Sequence, residues 1–205
     1  MRTFVIKSNT APSDAKEIDL YNLVSSGRID AICRYISAAL CLSNAIRRDT
    51  NIYICFNSGI TCLFDGSKII RFHSDEKRIA KMLKMIFNHV NKNGDILNHT
   101  KIFSGIYCLN KSFRELILDF KKQSKRVLCL HKEGKNIWTF KLIGNEVWVL
   151  GDQEGFGKDL DFIFSQADSL VSVSHYTLHG EHCISIIHNR IDNNEVVEEY
   201  GIINE

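Results

Sequence analysis

The chain has 205 residues, 44% apolar and 24% charged, with 26 Lys plus Arg against 24 Asp plus Glu. This composition excludes an intrinsically disordered polypeptide and suits one globular domain or two small ones. No run of 18 apolar residues is present to span a membrane, and the formal net charge of +2 weighs, at first sight, against a nucleic-acid partner. The seven cysteines (Cys33, Cys41, Cys55, Cys62, Cys108, Cys129 and Cys183) are odd in number and show no Cys-x-x-Cys. Most lie inside apolar runs, where a thiol acts as a small hydrophobe, so a reduced, cytoplasmic protein is expected.

The first residues, Met1-Arg2-Thr3-Phe4-Val5-Ile6-Lys7, hold too short an apolar stretch for a secretory signal and predict a strand over 2–7. A polar loop with the sole proline, Pro12, follows. Ile32, Tyr35, Ile36, Ala39 and Leu40 recur at three and four residues and predict a helix over 30–46. Strands are expected at 51–57 and 60–64, and Asp65-Gly66 is a hairpin signal leading to a third at 68–72. Ser74 or Asp75 can cap a helix that runs to about residue 90, followed by a polar loop at 91–99. Beyond it come a helix at 112–122, a buried strand at 126–130, and strands at 136–142 and 146–150. A helix at 158–166, a short strand at 170–173 and a final helix at 179–192 complete the pattern. Helices and strands alternate, most clearly after residue 110, which predicts a single α/β domain with a mainly parallel sheet.

The small net charge hides a strong segregation. Residues 1–141 hold 24 basic and 12 acidic residues, a balance of +12, whereas residues 142–205 hold 2 and 12, a balance of −10. One part of the chain is therefore suited to a polyanion. The basic clusters are Arg47-Arg48, Lys77-Arg78-x-x-Lys81-x-x-Lys84 and Lys121-Lys122-x-x-Lys125-Arg126; the last two read equally well as solvated helix faces.

Three segments have the composition of a site. Leu150-Gly151-Asp152-Gln153-Glu154-Gly155-Phe156-Gly157 follows a predicted strand, where parallel α/β sheets bind ligands. It matches neither the dinucleotide fingerprint nor a Walker A loop, so a small ligand held by backbone contacts is the better reading. The stretch 170–188 carries His175, His179, His182, His188 and Cys183, but its spacing fits no zinc framework and no metal is expected. Ala45-Ile46-Arg47-Arg48-Asp49 offers two guanidiniums for phosphate and an Asp that is either their salt-bridge partner or a general base.

Taken together, these pieces resemble the archaeal tRNA pseudouridine N1-methyltransferases of the SPOUT superfamily. The matching residues run nearly end to end: Met1-Arg2-x-Phe4, Gly27-Arg28-Ile29-Asp30 with Cys33-Arg34, Ile46-Arg47-Arg48-Asp49, and Ser74-Asp75-Glu76-x-Arg78. Gly105-Ile106-Tyr107, Leu130-His131, Gly151-Asp152, Leu178-His179-x-x-His182-Cys183-Ile184 and Ile187-His188-Asn189-x-Ile191-Asp192 follow in order. The chain departs where the family carries Ser-Pro: here Ser174 precedes His175 and Tyr176.

The resemblance implies one domain over 1–205, with residues 1–110 contacting RNA and 111–205 forming a trefoil-knotted, cofactor-binding part. It implies a homodimer, with S-adenosylmethionine held by Leu130, Gly151, Val173, Ser174, His175, Tyr176, Thr177, Leu178 and Cys183. The expected reaction is methylation of N1 of pseudouridine 54 in the T-loop of tRNA. Asp49 would act as base beside Arg48, with RNA contacts at Arg28, Arg34, Arg47 and Arg48. A non-catalytic module that binds cofactor or RNA is the alternative, motivated by the Ser174-His175-Tyr176 departure.

Overall fold

The computed structural model describes residues 1–93 and 99–199; residues 94–98 of the expected polar loop lie outside them. The strands are β1 (Arg2–Lys7), β2 (Thr50–Cys55), β3 (Ile60–Asp65), β4 (Thr100–Phe103), β5 (Ile106–Asn110), β6 (Arg126–Asn136), β7 (Glu146–Gly151) and β8 (Ser169–Ser172). The helices are α1 (Ile29–Leu40), α2 (Glu76–Asn93), α3 (Phe113–Lys122), α4 (Leu160–Gln166) and α5 (Gly180–Glu199). All eight strands form one sheet in the order β4-β5-β3-β2-β1-β7-β6-β8. From β2 to β8 the pairings are parallel, whereas β3, β5 and β4 form an antiparallel edge.

Side-chain alternation along the central strands separates two cores, since successive residues of a strand point to opposite faces. Phe4, Ile6, Ile52, Ile54, Trp148 and Leu150 face Ile32 and Ile36 of α1, Leu83 and Phe87 of α2, and Ile184 and Ile187 of α5. Val5, Val127, Cys129, Val147 and Val149 face Phe113, Ile117 and Phe120 of α3 and Ile163 of α4. Because both faces are covered, the parallel strands read as unbroken apolar runs. Helix α3 starts where its sequence dictates: Ser112 accepts from the Glu115 amide while the Glu115 carboxylate accepts from the Ser112 amide, a reciprocal capping box.

Several expected elements end or form elsewhere. The helix expected over 30–46 stops at Leu40, because Cys41 turns extended and bridges Ile46 across a Leu42–Ala45 turn. No strand forms over 68–72. The Asp65-Gly66 turn is present, with the Ser67 amide donating to the Asp65 carboxylate, but the chain does not return along β3. Lys68 and Ile69 instead donate to the Asp65 carbonyl, and Arg48 donates to the Gly66 and Ile69 carbonyls. Beside β2, the other partner of β3 is β5, a strand outside those the sequence pattern predicts. Residues 137–139 form a 3₁₀ turn capped by Asn136 rather than a strand, while β6 extends to Asn136.

Candidate active-site cleft

At the carboxyl ends of β7 and β8, beside the register shift within β6, lies a cleft of about 740 Å³, within the size range of small-molecule sites. Its walls come from Leu130 to Lys132 at the register shift within β6, from 151–157 at the end of β7, and from 172–178 at the end of β8. Arg28, Ala31, Arg34 and Tyr35 of the α1 region close another side, and Gly180, Glu181 and Cys183 of α5 complete it. The site therefore draws on residues from both 1–110 and 111–205.

Backbone proximity builds the floor. A Cβ on Gly151 would stand 2.2 Å from the Gly155 carbonyl oxygen, so only glycine lets the loop fold back so tightly. The segment after β1 holds that loop down. The Asn9 amide and side chain donate to the Asp152 carboxylate, and Asn9 Nδ2 also donates to the Gly155 carbonyl at 2.8 Å. Beneath it, Lys7 is buried and lies 3.7 Å from Asp159, whose carboxylate also accepts from Arg114 at 2.7 Å. Burial pulls the Lys7 ammonium below its ordinary pKa, and the Asp159 charge opposes that shift.

The α1 side is electrostatic. Gly27 and Arg28 both adopt left-handed backbone, φ 58° and 61°, a conformation that costs a non-glycine residue free energy and is held where the surroundings impose it. Arg28 is fixed to the buried Asp30 by two hydrogen bonds of 3.0 and 3.1 Å. Arg34 bonds Asp30 at 2.9 Å and Glu181 at 3.0 Å, tying α1 to the start of α5. Burial raises the Asp30 pKa, but the bonds from Arg28 and Arg34 outweigh it and hold the carboxyl below its usual range. Asp30 is thus a fixed anion that orients two guanidiniums. Burial pushes the Cys183 thiol up to about 11, so it packs as a neutral group and is not a thiolate nucleophile.

Of the residues expected to hold cofactor, Leu130, Gly151, Val173, Ser174, Tyr176, Thr177, Leu178 and Cys183 line this cleft, together with Arg28 and Arg34. His175 is not among the lining residues and is exposed. The Arg47-Arg48-Asp49 cluster lies apart from this cleft within the chain. Asp49 immediately precedes β2, at the amino end of the sheet, whereas Gly151 ends β7 in register with Lys7 and Cys55. A six-residue strand separates the two, about 20 Å at 3.3 Å per residue. There Asp49 pairs with Arg2 at 2.8 Å and Arg47 grips Asp192 at 2.8 and 3.1 Å. The salt-bridge alternative for Asp49 describes its contacts within this chain.

The histidines part company as well. His179 and His182 lie edge to face, while His188 is buried, and among the described residues no three His, Cys, Asp or Glu side chains are grouped to hold a metal. Sequence reasoning missed Asn9, Asp152, Tyr35 and Glu181. Asp152 and Glu181 stood inside flagged segments, but Asn9 meets its partner 143 residues away and carries no local signal.

A mainly parallel α/β sheet with a glycine-bearing cleft at its carboxyl edge and two arginines on the cleft wall defines an α/β protein with a small-molecule site. The family model described as "Putative SAM-dependent RNA methyltransferase" matches residues 1–196, and the chain belongs to that family. A tRNA (pseudouridine(54)-N(1))-methyltransferase of Methanococcus maripaludis is 37% identical over 205 residues, covering 94% of this chain and 98% of the relative. The enzyme of the same name from Methanocaldococcus jannaschii is 32% identical over 206 residues, covering 97% and 100%. The crystal structure of Archaeoglobus fulgidus Nep1 bound to S-adenosylhomocysteine shares the fold, with a TM-score of 0.66 over 95% of this chain and 99% of that one, at 12% identity.

Proposed function

We propose that the chain transfers the methyl group of S-adenosylmethionine to N1 of pseudouridine 54 in tRNA. The observation that carries this reading is that one cleft unites Leu130–Lys132 of β6 and the loops after β7 and β8 with Arg28 and Arg34. Relatives bearing that activity in their names match this chain over 94% or more of its length. The cleft suits the cofactor on its own terms: apolar Leu130, Leu150, Val173 and Leu178 stand beside the Gly151 backbone and the acidic Asp152, Glu154 and Glu181. That mixture fits an adenosyl group and a cationic sulfonium. Cofactor contacts are assigned to Leu130, Gly151, Val173, Ser174, Thr177, Leu178 and Cys183. All but Thr177 are half-buried wall positions.

When bound, the cofactor supplies an electrophilic methyl group, and transfer needs little covalent help from the protein. The residues of the chain orient, exclude water and balance charge. The target base must leave its stack to reach the cleft. Loss of the N1 proton spreads negative charge onto the ring carbonyl oxygens, and the Arg28 guanidinium, anchored by Asp30, stabilises that charge. The proton leaves to water at the open lip. Arg34 holds the same lip through Asp30 and Glu181. With Asp49 distant within the chain, no carboxylate base is assigned there.

The family resemblance also supports a trefoil knot within 111–205, RNA contacts from 1–110, a homodimer and a cytoplasmic setting. Among the described residues no helix is long and apolar enough to cross a membrane. The test is incubation with labelled cofactor and tRNA carrying uridine or pseudouridine at position 54. Label is expected only in the pseudouridine substrate, and the rate should rise with pH as N1 deprotonates. Cofactor binding without transfer to any RNA would favour the non-catalytic module.

A further inference from the structure

Tyr176 is the exposed aromatic side chain at the mouth of the cleft. It lines the same space as the half-buried Val173, Ser174 and Leu178, yet it is 80% exposed, on a lip shared with exposed polar residues such as Thr177 and Gln153. Its backbone is held in place: the Tyr176 amide donates to Ser174 Oγ at 3.1 Å, and Ser172 Oγ donates to the Ser174 carbonyl at 2.7 Å. A fixed turn thus carries a large aromatic face at the mouth of a cleft that Arg28 and Arg34 also line. An aromatic side chain and guanidiniums lining one cleft is the combination that takes up an unstacked nucleobase, the ring supplying a π-face and the cations meeting the adjoining negative charge.

On the reading above, the base leaves its stack before transfer and loses the neighbours that covered its faces. Two bases could use the ring: the adenine of the cofactor, or the base extruded from the RNA. Six of the seven residues assigned to the cofactor are half-buried, whereas the Tyr176 ring stands at the exposed lip, and that contrast favours the RNA base. We propose that Tyr176 is the stacking platform for the extruded pyrimidine of the RNA and positions it for transfer, without holding the cofactor. This inference rests on the proposed function and names a substrate contact within it.

The full-length protein and its Tyr176→Ala, Tyr176→Phe and Tyr176→Trp variants test it. KM and kcat are measured with tRNA carrying pseudouridine 54, and the Kd for S-adenosylhomocysteine is measured by calorimetry. Tyr176→Ala should raise KM for tRNA about tenfold, while Phe and Trp stay near wild type and all four proteins bind S-adenosylhomocysteine within twofold of one another. An unchanged KM in the Ala variant overturns the inference. So does a Kd for S-adenosylhomocysteine that rises in step with KM, which would give the ring to adenine. A Phe variant as impaired as Ala, or an Ala variant with an altered oligomeric state by sedimentation, also counts against a stacking platform. If the wild type methylates no RNA, the functional reading fails and this inference falls with it; an active wild type with an indifferent Tyr176→Ala sinks this inference alone.

Discussion

The two ends of the parallel sheet carry the same kinds of residue and do opposite things with them. At the amino end, Arg2 bonds Asp49 and Asp192, Arg47 bonds Asp192, and His188 lies buried between Arg2 and the Ala39 carbonyl. At the carboxyl end, Arg28 and Arg34 share Asp30, but they line an open cleft. Guanidinium–carboxylate pairs are therefore no guide to function by themselves. What separates the two is the architecture: strand carboxyl ends leave a crevice between diverging loops, whereas here α5 and the start of β2 close the amino end around their own ions.

The largest break in this comparison should come from the cleft floor. Gly151→Val places carbon atoms where the Gly155 backbone already lies, and S-adenosylhomocysteine affinity should fall a hundredfold or more by calorimetry. Arg28→Ala comes next. It should lower methyl transfer by about 10²–10³, the usual loss for one donor aimed at developing charge, while the Kd for S-adenosylhomocysteine stays within about threefold.

The amino end should answer to pH instead. The Ala39 carbonyl can only accept and the Arg2 guanidinium can only donate, so His188 is neutral with its proton on Nε2. Burial, with Arg47 and Arg2 beside it, pushes its pKa down to about 4. The unfolded chain takes up that proton near pH 6.5 and the folded one does not. Stability is therefore complete above pH 6.5 and declines as pH falls toward 4, by about 3 kcal/mol in all. Chemical denaturation between pH 7 and 4 reads it, and a His188→Phe variant should lose most of that slope. A wild-type stability independent of pH in this window would contradict the closed network. The smallest effect is expected from Asp49→Asn. Its carboxylate is nearly half exposed, so the variant should cost on the order of 0.5–1 kcal/mol in denaturation.

Much of this comparison was legible in the sequence, and the failures have physical causes. Gly151 could be placed because a strand followed by a glycine loop is a local pattern tied to one end of a parallel sheet, whereas residues 173–178 were indicated by the family resemblance alone. The strand pattern in Val147–Leu150 and the helix expected over 112–122 were local in the same way. Which end of the sheet receives Asp49 depends on the strand it precedes and on the register of β2 with β1, and no local spacing encodes that register. The strand expected at 68–72 failed for a similar reason. Asp65-Gly66 makes a turn, but Arg48 captures the Gly66 and Ile69 carbonyls, and β5, more than 40 residues along the chain, takes the place beside β3. Arg28 was flagged as an RNA contact, yet its left-handed backbone beside Gly27 is a feature only the folded chain displays.

The most direct test is a side-by-side rate of methyl transfer to pseudouridine-54 tRNA, at saturating cofactor, for Arg28→Ala and Asp49→Asn. The carboxyl-edge cleft as the seat of chemistry predicts that Arg28→Ala is nearly inactive and Asp49→Asn stays within about twofold of wild type. An inactive Asp49→Asn beside a fully active Arg28→Ala would move the chemistry to the other end of the sheet and contradict the account.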